Sequence, residues 1–129
     1  MLTFSPDTPS RRDGGGYNYA DNSIVGFSLT HLSGPGCGAD GDFPILPTAG
    51  SVGTDPASTT EPFNHTDEHA APGQYQVTLD PGTSSAIGAS LAATTRTGIG
   101  TFTYPSSALR TCCSRSATRN RATRPRTSR

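Results

Sequence analysis

QYQVTLDPGTSSAIGASLAATTRTGIGTFTYP, residues 74–105, decides the fold. In QYQVTLD (74–80) polar and apolar residues alternate, so Tyr75, Val77 and Leu79 line one face of a strand. Pro81-Gly82 follows as a turn. AIGASLAATTRTGIGTFTY (86–104) reads as two further strands bridged near Arg96–Gly98, with Thr and aromatic residues gathering toward the end, and Pro105 closes it. Working backward, FPILPT (43–48) is a short extended piece, because Pro44 and Pro47 push their preceding residues toward extended geometry. YNYADNSIVGFSLTHL (17–32) reads as two short strands around a turn at Asp21-Asn22. SPDTPSRRDGGG (5–16), SGPGCGADGD (33–42) and a polar linker (49–62) are loops by composition. No stretch has helical periodicity. The expected fold is all-β, a partial antiparallel β-sandwich with Gly/Pro-rich loops.

Composition divides the chain. Residues 1–109 hold Arg11, Arg12 and Arg96 against all ten acidic residues, whereas 110–129 hold seven arginines and no acid. Two units are expected: an incomplete sandwich over 1–109 and an Arg-rich disordered tail over 110–129. Arginines without interleaved aromatics give only salt-dependent attraction to phosphate, so no specific nucleic-acid partner is expected. No apolar run reaches the ~20 residues of a membrane span. No signal peptide is visible.

Several motifs lack the context their chemistry needs. The glycines at 34, 36, 38 and 41 precede Pro44 and Pro47, where a phosphate-binding loop would open a helix. His65-Thr66-Asp67-Glu68-His69 spells H-x-x-E-H, but zinc chemistry needs both histidines on one helical face and a third ligand. Pro72-Gly73 leaves no room for that helix, and no metal site is expected. Cys112-Cys113 lacks zinc spacing.

A resemblance organises these pieces. Gly16-Tyr17, Gly26 through Cys37, Gly41-Asp42 and Pro47-Thr48 form one signature. Phe63, His65, Glu68, Ala70, Pro72, Gly73, Tyr75 and Val77 form a second. Arg96, Gly98 and Tyr104-Pro105 form a third. In this order they resemble the N-terminal domain of glycoside hydrolase family 92, the exo-α-mannosidases, over residues 2–108. Leu29 and Pro35 depart from the family pattern, which commonly has His and Thr there.

The resemblance implies an N-terminal β-sandwich truncated at both ends. It implies a secreted or periplasmic parent enzyme that acts on α-mannose-containing glycans. In that family the sandwich pairs with an α/α barrel that carries the catalytic carboxylates and calcium and inverts the sugar configuration. No catalytic residue and no cofactor are then expected within this chain. Loop residues His31, Ser33, Gly34, Gly36, Cys37 and Asp42, with His65 and Glu68, are expected to line the sugar pocket. The rival readings are a stand-alone carbohydrate-binding sandwich and a zinc hydrolase using His65 and His69.

The tail has its own explanation. Back-translating Thr111 onward with GC-rich codons, and starting each codon one base earlier, yields Asp-Leu-Leu-Leu-Lys-Val-Gly-Asp-Ser-Gln. That is an apolar strand and a polar turn, resembling the family's next segment. A frameshift near residues 108–110 is therefore expected.

Overall fold

The computed structural model describes residues 3–10, 16–29, 44–51, 54–55, 58–106 and 109–114. Among them the strands are β1 (Ser5–Asp7), β2 (Ser23–Ile24), β3 (Gly26–Ser28), β4 (Ile45–Ala49), β5 (Glu61–Pro62), β6 (His69–Ala71), β7 (Gln74–Leu79), β8 (Ile87–Ala93), β9 (Gly98–Thr103) and β10 (Arg110–Ser114). One 3-10 turn, His65–Asp67, breaks the all-β pattern.

The strands build two four-stranded sheets, one ordered β1-β3-β4-β10 and the other β6-β7-β8-β9, with a small β2-β5 ribbon beside them. Every pairing among the described residues is antiparallel. The β6–β9 sheet is a meander. Its register aligns Tyr75 with Leu91, Val77 with Ala89 and Leu79 with Ile87, so all six point to one face and all six are buried. The other sheet and the adjoining segments contribute Phe4, Ile24, Phe27 and Leu46 to the same core. Phe27 and Phe102 meet across it, ring centroids 5.8 Å apart. Burial of these side chains, at about 1.5–3 kcal/mol each, is the main favourable term for a chain this poor in aliphatic residues.

Local chemistry sets the corners. At the β7–β8 turn Asp80 adopts a positive φ of 49°, and its carboxylate accepts hydrogen bonds from Thr83 and Ser85 at 2.8 and 3.0 Å. Asp tolerates this left-handed geometry because its short side chain can bond locally. On β9 the bare backbone of Gly100 lies under Phe4, whose ring would come within 3.0 Å of any added Cβ. Between neighbouring strands β1 and β3 of the first sheet, the buried Asp7 carboxylate accepts a hydrogen bond from the buried Ser28 hydroxyl.

Three expectations shift. Residues 17–22 contain no strand: Asn18–Asp21 form a tight turn, because Asn18 bonds its own backbone two residues on and so favours a turn over a ladder. Both short strands lie beyond it, at β2 and β3. The polar linker is not structureless throughout, since β5 at its end pairs with β2. The tail's first residues, Arg110–Ser114, pair with β4 from Ala49 to Ile45. An edge strand needs only backbone partners, so polar side chains do not prevent the pairing. Residues 115–129 lie outside the described residues.

Candidate functional site

Glu68 is the hub of a polar cluster at the rim of the β6–β9 sheet. It follows the 3-10 turn and precedes β6, so its side chain reaches back over β7. Tyr75 Oη, from β7, donates to Glu68 Oε1 at 2.7 Å. Tyr17 Oη donates to Oε2 at 2.9 Å. His65 Nδ1 lies 2.8 Å from the same oxygen, as an N–H donor would. His65 and Glu68 side chains are only 22% and 12% exposed. Three segments distant in sequence thus meet on one carboxylate.

The electrostatics follow. Burial alone raises the Glu68 pKa, but the bonds from His65, Tyr75 and Tyr17 outweigh it and hold the carboxyl below its ordinary value. Burial pushes both Tyr75 and Tyr17 well above the usual phenol range, and the Glu68 carboxylate adds to it. Glu68 is therefore a charged acceptor and both tyrosines are neutral donors. A carboxylate committed to three donors suits positioning better than proton transfer, which needs a free site toward the reacting atom.

Aromatic rings extend the cluster outward. Tyr19 stacks on His65, ring centroids 4.1 Å apart and planes inclined by 22°. Phe63 meets the same imidazole edge-on at 5.0 Å. Two residues before Phe63, Glu61 has a raised pKa, from burial and then from the nearby Asp80 charge.

Of the residues expected to line a sugar pocket, His65 and Glu68 come together. His31, Ser33, Gly34, Gly36, Cys37 and Asp42 lie outside the described residues. The zinc reading meets a geometric obstacle. His65 sits in a single 3-10 turn and binds Glu68, whereas His69 begins β6, exposed and opposite Gln76. The two histidines share no helical face. Among the described residues no group of three or more His, Cys, Asp or Glu side chains gathers to hold a metal ion. Sequence reasoning missed Tyr17 and Tyr75 as donors to this carboxylate, and Tyr19 and Phe63 as ring partners of His65; the Tyr17-x-Tyr19 spacing beside Asn18 was the available signal.

Two antiparallel sheets over a shared core, with an aromatic–carboxylate cluster at one rim, define a β-sandwich domain. The family model described as the glycosyl hydrolase family 92 N-terminal domain matches residues 1–124, and the chain belongs to that family. Among solved structures it is similar to the family GH92 inverting mannosidase BT2199 from Bacteroides thetaiotaomicron, at 29% identity and a TM-score of 0.68, covering 87% of this chain and 15% of that one. It is also similar to the family GH92 α-mannosidase BT3965 from the same organism, solved with mannoimidazole, at 34% identity and a TM-score of 0.66, covering 81% of this chain and 14% of that one. The chain thus spans about one seventh of those enzymes' length. Among curated proteins none matches. No helix among the described residues is long and apolar enough to cross a membrane.

Proposed function

We propose that this chain is the sugar-facing N-terminal part of a calcium-dependent, inverting exo-α-mannosidase and is catalytically silent by itself. The observation that carries the reading is family membership, joined to a rim cluster in which Glu68 accepts from three donors. Inversion takes two carboxyl groups about 6.5–9.5 Å apart, one protonating the leaving oxygen and one activating water. Neither role suits Glu68. In this reading those carboxylates and the calcium belong to the catalytic part of the complete enzyme. In the same reading His31, Ser33, Gly34, Gly36, Cys37 and Asp42 are assigned to the pocket wall, and Glu68 fixes His65. The test is mannose release from α-mannosides by the purified chain, with and without calcium. No release is expected, and measurable turnover would overturn the assignment.

The same reading treats residues 110–129 as family sequence translated out of frame. The family match runs on to residue 124, past the end at residue 108 expected from the sequence, so the reading rests only on where the segment sits in the fold and on the shifted frame. Strand β10 lies against Leu46, Pro47 and Thr48 of β4, all buried, in the register Cys113↔Leu46, Cys112↔Pro47 and Thr111↔Thr48. The frame one base earlier supplies the apolar strand that such a position favours. Sequencing the gene decides the matter: an open, family-like shifted frame is expected, and an early stop in that frame would refute the idea.

A further inference from the structure

Tyr19 is a bulky ring set in a turn that would ordinarily carry a small polar residue. It is 69% exposed, yet it is not loosely held. The Asp21 N–H closes the turn onto the Asn18 carbonyl at 3.1 Å. The Asn18 side-chain oxygen accepts from the Ala20 N–H at 3.1 Å, and the Asn18 N–H donates to Thr8 Oγ1 at 2.8 Å. Ser10 ties both ends together, its N–H and hydroxyl donating to Asp21 Oδ2 at 2.9 and 2.5 Å while its oxygen accepts from Asn18 Nδ2 at 2.6 Å.

The ring's inner face is equally fixed. It lies on His65, which Glu68 anchors at 2.8 Å and Phe63 buttresses edge-on. One face of Tyr19 is therefore occupied and the other is turned to solvent. Among the described residues its ring contact is with the histidine, a contact that an aliphatic side chain would supply without exposing an aromatic ring.

We propose that the outer face of Tyr19 is a stacking platform for a pyranose ring, and that its ligand is a neutral glycan. The proposal deepens the reading of this domain as sugar-facing and rests on it. A pyranose presents a C–H face that packs on an aromatic ring while its rim hydroxyls seek polar neighbours, and a tyrosine offers such a surface with few torsions to freeze. Holding the ring in place beforehand removes part of the ordering cost of binding. Charge selects among sugars. Residues 1–109 carry ten acids against three arginines, with the other seven arginines in residues 110–129; Asp21 stands two residues from Tyr19, and Glu68 binds the histidine on which the ring stacks. A phosphorylated or carboxylated sugar is repelled there, and a neutral one is not.

The experiment is an NMR titration of the full 129-residue chain with methyl α-D-mannoside, with mannose 6-phosphate as the anionic comparator. Expected are shifts of the Tyr19 ring protons, intermolecular contacts between that ring and the sugar C–H protons, and weaker binding of the phosphate. Tyr19→Phe keeps affinity within about twofold, and Tyr19→Ala loses about tenfold or more, roughly 1.4 kcal/mol. The ring contacts in the unmutated chain stand whether or not the alanine variant folds. Two results overturn the platform. If mannoside shifts other residues and Tyr19→Ala binds as well as the parent, the platform is wrong and the sugar-facing reading survives. If no resonance moves with tens of millimolar mannoside, both fall.

Discussion

Replacing Glu68 with Gln tests whether the rim cluster is held by charge. The side chain keeps its shape but loses its negative charge, and one of its two acceptor oxygens becomes an NH2 donor. Three donors now converge on the carboxylate, from Tyr17, Tyr75 and His65, at 2.7–2.9 Å. Hydrogen bonds to a charged group contribute about 1.5–3 kcal/mol, against about 0.5–1.5 for neutral pairs. The variant loses that difference at two bonds and sets donor against donor at the third. Because the bonds share one acceptor and are not additive, the expected loss is about 2 kcal/mol, or roughly 8 °C in Tm for a domain of this size.

The pH dependence supplies the sharper readout. Glu68 has a lowered pKa in the folded chain, so its stabilisation is complete above the unfolded carboxylate value of about 4.3 and fades as pH falls through the folded value. Thermal or urea melts of both proteins should differ by about 2 kcal/mol at pH 7 and converge in strong acid. Tyr75→Phe, which removes one donor, should cost less in the Gln background than in the parent, a coupling of about 0.5 kcal/mol or more. A stability gap that stays constant from pH 7 to pH 2 would refute a charge-held cluster, and so would a Gln variant as stable as the parent.

The core and its corners make further predictions. Leu79 is fully buried, and Leu79→Ala should lower unfolding free energy by about 2–5 kcal/mol in a urea titration. Gly26→Ala should cost about 1–3 kcal/mol in the same assay, because the new Cβ would stand 2.9 Å from the Pro44 Cβ, and a proline ring cannot rotate aside. The buried Thr48 hydroxyl has no hydrogen-bond partner, so Thr48→Val should leave stability unchanged or raise it by about 1 kcal/mol; a clear loss would show that the hydroxyl is satisfied in solution.

The strands that carry their own periodicity were legible beforehand. QYQVTLD alternates so regularly that Tyr75, Val77 and Leu79 could be assigned to the core directly, and they are buried there. The next hairpin was equally readable, with its turn at Thr94–Thr97 closed by paired hydrogen bonds. Two-residue strands were not. Ser23–Ile24 and Glu61–Pro62 pair only because tertiary contacts bring them together, and neither has a pattern long enough to read. The turn lies at Asn18–Asp21 and not at Asp21-Asn22, since Asn18 and Asn22 give equal turn signals and the contacts of Asn18 to Thr8 and Ser10 decide between them.

At the site, His65 and Glu68 stand three residues apart and could be paired from sequence. Tyr17 and Tyr19 reach them across nearly fifty residues, a juxtaposition that no local pattern encodes. The family signature held both Tyr17 and Tyr75 without revealing that they grip one carboxylate. The arginine-rich segment misled in another way. Its composition argued for a disordered tail, yet Arg110–Ser114 complete a sheet edge, because ladder hydrogen bonds are made by the backbone whatever the side chains.

The most direct measurement is a map of backbone amide shifts across the whole chain as an α-linked mannobiose is added. A sugar-facing rim built around Glu68 predicts changes concentrated in residues 17–21, 31–42 and 63–69, with the outer strand positions Gln76, Ser90 and Thr101 unmoved. Shifts confined to those strand positions, or none anywhere, would contradict it.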